Sequence, residues 1–153
     1  MHLEIISVGK PKSSWLQEGV EHYRKLCSRY AQVELRRVRE SSGSKGAELV
    51  RTEESERLKA AINANALTIL LDEHGRKLDS EGLAGYLEKS KLKHSHVQLL
   101  IGGAYGVTDV LRSVVDETLS LSSLTLPHDL TLLLLLEQLF RAMSITAGSK
   151  YHK

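Results

Sequence analysis

Apolar residues along this chain fall either into short unbroken runs or into stretches that recur every three or four positions, and the two spacings mark different elements. Leu3 to Val8 is a run rich in β-branched side chains that stops at Gly9-Lys10-Pro11, which predicts a buried strand followed by a loop. From Ser14 to Tyr30, the residues Trp15, Leu16, Gly19, Val20, Tyr23, Leu26, Cys27 and Tyr30 keep helical spacing behind a serine N-cap. Val33 to Val38 predicts a weaker second strand. Glu40 to Gly46, with its serines and glycines, predicts a loop, and Ala47 to Ala64 a helix whose outer face is charged. Leu67 to Leu71 has the character of a central parallel strand that delivers Asp72-Glu73-His74-Gly75 as a polar loop at its carboxyl end. Ser80 caps a helix to about Leu92. Val97 to Ile101 is a further strong strand closed by Gly102-Gly103-Ala104-Tyr105-Gly106, and Thr108 to Val115 makes a short helix. Leu119 to Leu126 is a strand or an extended loop stopped by Pro127. His128 to Ile145 is the last helix, with leucine at every position from 132 to 136. Such a helix must be covered on most sides, within the fold or by another copy. Strand and helix alternate, which predicts an α/β fold with a parallel sheet flanked by helices on both faces.

With 153 residues, 41% of them apolar, the chain can bury one core, so residues 1–153 form a single domain. The formal net charge of +2 does not announce a nucleic-acid partner. Contact with RNA would have to be local, through Lys10/Lys12, Arg36/Arg37/Arg39, Arg76/Lys77 and Lys89/Lys91/Lys93, clusters that could meet on one face or be ordinary solvated charge. No apolar stretch is long enough to cross a bilayer, and Met1-His2-Leu3-Glu4 does not open a secretory leader, so no membrane contact and a cytoplasmic location are expected. The single cysteine, Cys27, cannot form an internal disulfide, and the seven histidines are scattered, so no metal site is expected.

Four features could carry chemistry. Gly102-Gly103-x-x-Gly106 lies between a strand and a helix, where glycine lets backbone amides approach a ligand, or where a tight turn simply tolerates it. Leu121 to Leu126 is extended and rich in hydroxyls; it could present main-chain groups to a flat heterocycle, or form an edge strand with its serines outward. Glu137 and Arg141 stand four apart on the last helix, as a surface ion pair would. Tyr151-His152-Lys153 gathers a phenol, an imidazole and an ammonium in a tail that could equally fray.

Taken in order, Leu99-Leu100-Ile101-Gly102-Gly103-x-x-Gly106, Leu119-Ser120-Leu121-Ser122, Thr125-Leu126-Pro127-His128, Glu137-Gln138-Leu139-Phe140-Arg141-Ala142 and Tyr151-His152 resemble the RlmH family of SPOUT methyltransferases. The opening Ile5-Ile6-Ser7-Val8-Gly9-Lys10 and Leu70-Leu71-Asp72-x-x-Gly75 extend the resemblance over the whole chain. It implies a C-terminal trefoil knot whose loops hold S-adenosylmethionine at Leu71, Gly102, Leu121, Ser122, Ser123, Leu124, Thr125 and Leu126. It also implies methyl transfer to N3 of pseudouridine 1915 in the helix 69 loop of 23S rRNA, on assembled 70S ribosomes. That imide nitrogen is a poor nucleophile until its proton leaves. By the same resemblance His152 would handle the proton or orient the base, Tyr151 would form a wall, and Arg141 with Lys153 would meet anions. The active unit would be a homodimer, with the tail of one copy at the cofactor cavity of the other. Two departures from the family pattern stand out: Leu132 where arginine is common, and Ala147-Gly148-Ser149-Lys150 before Tyr151. Two rival readings are a reductase using the glycine turn for pyrophosphate and an RNA-binding protein without chemistry.

Overall fold

The computed structural model describes residues 1–153. Strands β1 (His2–Val8), β2 (Gln32–Val38), β3 (Leu67–Lys77), β4 (His96–Ile101) and β5 (Glu117–Ser120) form one sheet in the order β2-β1-β4-β3-β5, parallel throughout. Helices α1 (Ser14–Cys27), α3 (Ser80–Lys93) and α5 (His128–Thr146) cover one face, with α5 packed against both of the others; α2 (Ala47–Ala60) and α4 (Asp109–Val114) cover the other. Side chains alternate between the two cores as the pleat requires. Leu3, Ile5, Val97, Leu99 and Ile101 point toward α5, whereas Ile6, Val8 and Leu100 point toward α2 and α4. Both faces are covered, and for that reason β1, the first half of β3, and β4 are largely apolar, interrupted by buried Glu4 and Ser7, Thr68, and Gln98. The edge strand β2 buries only Val33, which accounts for its weaker pattern.

The leucine run of α5 is largely accounted for within the chain. Leu132, Leu135, Leu136, Leu139, Phe140, Ala142 and Met143 are buried, and Leu130, Leu133 and Leu134 are half-buried. On α1, by contrast, Trp15 remains 61% exposed. No helix is long and apolar enough to cross a membrane.

Local hydrogen bonds move several boundaries from those the periodicity predicts. Helix α2 stops at Ala60 and not Ala64, because the Asn63 amide donates to the Gln98 side chain at 2.8 Å and Asn63 Oδ1 takes the Asn65 amide at 2.9 Å. Asp79 caps α3, accepting from the Gly82 amide at 2.6 Å, in the role expected of Ser80. Strand β5 ends at Ser120, so 121–127 is a loop. The strand predicted to end at Leu71 continues to Lys77, but Leu71 and Arg76 both pair with Leu119, which extrudes residues 72–75 from the ladder. Gly75 permits this: a Cβ there would lie 2.6 Å from the carbonyl carbon of Leu119.

Candidate functional site

Parallel strands deliver their following loops to one edge of the sheet, and a cavity of about 410 Å³ opens there. Its walls are the extruded 72–74 segment of β3, the Ile101–Val107 turn after β4, and the loop after β5 at Leu121, Ser122 and Leu124–Leu126. Arg51 of α2, Arg112 of α4, and His128 and Thr131 of α5 complete it.

Two polar ties hold these walls. Arg112 Nη2 and Nε donate to Asp72 Oδ2 at 2.8 and 3.2 Å, while Nη1 donates to the Val107 carbonyl at 2.9 Å and to Asp109 at 3.0 Å. One guanidinium therefore joins the β3 segment to the turn after β4. Thr125 Oγ1 donates to Glu73 at 3.0 Å, joining the same segment to the loop after β5. Burial of Asp72 disfavours its charge, but the His74 amide at 3.0 Å and the Arg112 guanidinium outweigh it, and the carboxyl is held below its usual range. Hydrogen bonding to Asp72 raises the Arg112 pKa in turn, against a smaller burial effect.

The loop after β5 leaves main-chain groups for a ligand. Leu124 spends its amide on Ser122 Oγ and the Ser122 carbonyl accepts from Ser120 Oγ, but the amides of Ser122, Ser123, Thr125 and Leu126 donate to no protein acceptor. Leu121, Leu124 and Leu126 supply apolar wall beside them. Free amides next to an apolar surface suit a planar heterocycle with ring nitrogens, and the volume suits a nucleoside-sized molecule. At Gly102 the reason for glycine lies inside the wall and not in the cavity, since a Cβ there would lie 2.6 Å from Val107 Cγ1.

Of the positions named from sequence, Leu71, Gly102, Leu121, Ser122, Leu124, Thr125 and Leu126 line the cavity together, and Ser123 does not. Arg141, Tyr151 and His152 are elsewhere. Arg141 pairs with Glu137, as the four-residue spacing suggests, and its guanidinium carbon lies 4.8 Å from the Tyr151 ring centre. The Tyr151 ring also meets Phe140 edge-on at 4.6 Å. Its hydroxyl is 3.4 Å from that of Tyr23 and donates to Glu137 at 3.1 Å; these contacts, Tyr23 foremost, raise the phenol well above its usual pKa. At 1.5 Å per residue, Glu137 is roughly 13 Å along α5 from His128 at the cavity, so Tyr151 is docked away from its own cavity.

The basic clusters do not share a face. Lys89, Lys91 and Lys93 end α3 and so precede β4, at the edge opposite the cavity, while Lys10, Lys12 and Arg39 follow strands at the cavity edge. The lining residues Asp72, Glu73 and His74 could have been nominated from their place after a central strand. Arg51 and Arg112 could not, because their own helices carry no local signal and only the fold brings them to the rim.

Comparison with known proteins gives concordant matches. A family model described as predicted SPOUT methyltransferase matches residues 1–152. Ribosomal RNA large subunit methyltransferase H of Desulfotalea psychrophila is 44% identical over 154 residues, covering 100% of each chain. The protein of the same name from Geobacter metallireducens is 40% identical, covering 99% of each. A crystal structure of a probable methyltransferase from Bordetella pertussis superposes with TM-score 0.59 at 15% identity, over 92% of this chain and 93% of that one, and so shares its fold.

Proposed function

The chain belongs to the SPOUT methyltransferase family, and from that membership we propose that it transfers a methyl group from S-adenosylmethionine to large-subunit ribosomal RNA. The observation that carries this reading is the cavity at the carboxyl edge, where the free amides of the 122–126 loop lie beside leucines and in reach of the glycine turn. Those groups fit an adenine and its ribose. When bound, the cofactor supplies an electrophilic methyl group. Everything else is left to the chain: holding the acceptor in line, excluding water, and taking up the acceptor's proton. Cofactor contacts are assigned to Leu71, Gly102, Leu121, Ser122, Leu124, Thr125 and Leu126, with Ser123 contributing its main chain.

The acceptor in this proposal is N3 of the pseudouridine in the helix 69 loop of 23S rRNA, on 70S ribosomes in the cytoplasm. Modest net charge supports a shaped ribosomal substrate over naked RNA. The active unit is a homodimer. Exposed Trp15 on α1 and the distance between each tail and its own cavity support a second copy that brings His152 and Tyr151 to the acceptor, with Arg141 at the same seam. A trefoil knot is also part of this reading: the 121–127 loop leaves the edge strand β5 and passes the ends of β3 and β4 before α5 settles between α1 and α3.

Purified protein, labelled S-adenosylmethionine and 70S ribosomes test the reading directly. The expected product is a single methylated pseudouridine, located by mass spectrometry of the rRNA. Absence of transfer, or equal transfer to ribosomes carrying uridine at that position, refutes the assignment. Light scattering that shows a monomer at micromolar concentration removes the dimer. A variant ending at Lys150 that keeps the full rate removes the tail from catalysis.

A further inference from the structure

The cavity rim holds a cation with nothing to neutralise it. Arg112 is engaged by Asp72, Asp109 and the Val107 carbonyl. His74 lies 3.1 Å from Asp72, and His128 lies 3.9 Å from Asp129. Neither wall acid pairs with Arg51: Asp72 is held by Arg112, and Glu73 accepts from Thr125 and lies 3.9 Å from His74. Arg51 lines the same cavity from the first half of α2, is exposed, and makes no ion pair or side-chain hydrogen bond. A guanidinium at the mouth of a cleft keeps its charge for an incoming ligand, and its planar fork matches an oxyanion with two oxygens.

We infer that Arg51 is an oxyanion-binding residue of the active site, a role that rests on the methyltransferase reading above. Two anions belong to that reaction: the carboxylate on the methionyl part of the cofactor, and the RNA phosphate beside the acceptor nucleotide. Their shared chemistry is what Arg51 recognises. Lys10 after β1 and Arg39 after β2 are likewise exposed without ion-pair partners at the same edge of the sheet, so a phosphate backbone arriving there would meet further positive charge.

Arg51→Gln separates the two sources, with Arg51→Lys as the variant that keeps the charge and loses the fork. Calorimetry with S-adenosylhomocysteine and with 5′-methylthioadenosine, which lacks the carboxylate, is run beside steady-state methylation of 70S ribosomes. If the carboxylate is bound, Arg51→Gln weakens S-adenosylhomocysteine about tenfold and leaves 5′-methylthioadenosine unchanged. If the phosphate is bound, both small ligands bind as before, KM for ribosomes rises about tenfold at nearly constant kcat, and the salt dependence falls by about one charge. Arg51→Lys recovers part of either loss. An Arg51→Gln protein equal to wild type in both assays overturns the inference. Wild type that fails to bind S-adenosylhomocysteine overturns the methyltransferase reading, and this inference with it.

Discussion

Replacing Arg112 by glutamine removes the tie between the β3 segment and the turn after β4. The side chain of Asp72 is 9% exposed and that of Arg112 39%, which places the pair between the two regimes of ion-pair energetics. Exposed pairs contribute about 0–1 kcal/mol, whereas leaving one charge of a buried pair alone costs about 3–5 kcal/mol. Partial exposure of the guanidinium puts the expected loss at about 1–2 kcal/mol, which includes the bond to the Val107 carbonyl. For a domain of this size that lowers Tm by roughly 3–6 °C. The effect on ligand binding should be larger than this suggests, because Arg112 fixes two of the cavity's three walls: Kd for S-adenosylhomocysteine should rise about tenfold. A pH series identifies the partner. Asp72 has a folded pKa below its ordinary 3.8, so the pair contributes stability above that value, and the contribution disappears as pH falls through the folded pKa. Arg112→Gln should therefore narrow its stability gap to wild type below about pH 4. Thermal melts and calorimetry on Arg112→Gln and Arg112→Lys measure both quantities. Wild-type affinity in Arg112→Gln would show that the ion pair does not shape the cavity.

Three further outcomes follow from packing and burial. Gly102→Ala places its Cβ against Val107 Cγ1 and should destabilise the fold by about 1–3 kcal/mol; Val107→Ala in the same chain should restore much of that loss, and additive melts of the double variant would disprove the contact. Burial pushes the Cys27 thiol up to about 12, so iodoacetamide at pH 8 should label it only in denaturant, and prompt labelling of the native protein would contradict its burial. Leu139→Ala, at a position 1% exposed where α5 meets the core, should cost about 2–5 kcal/mol in urea unfolding; a loss under 1 kcal/mol would mean that the α5 core is looser than its contacts imply.

Much of this protein can be read directly from its residues. Apolar runs located β1 to β4 and helical spacing located the helices, because these patterns depend only on which sides of an element are buried; β5 is Glu117–Ser120, and the stretch Leu119 to Leu126 that suggested it is a loop from Leu121 onward. The glycine turn after β4 and the hydroxyl-rich loop before Pro127 were visible for the same reason, being contiguous segments with a local conformational signature. Tertiary structure alone decided the rest. An apolar run records that a strand is covered, but not by which neighbours, so the insertion of β4 between β1 and β3 is absent from the pattern. The extrusion of residues 72–75 arises from pairing across to Leu119, and it turns a predicted strand end into a cavity wall. Arg51 and Arg112 reach the rim from helices whose own sequences mark them only as solvated charge. The tail, visible as a concentration of reactive groups, folds back on Phe140 and Glu137 of α5 and meets Tyr23, 128 positions away, and no pattern of local period encodes a contact of that span.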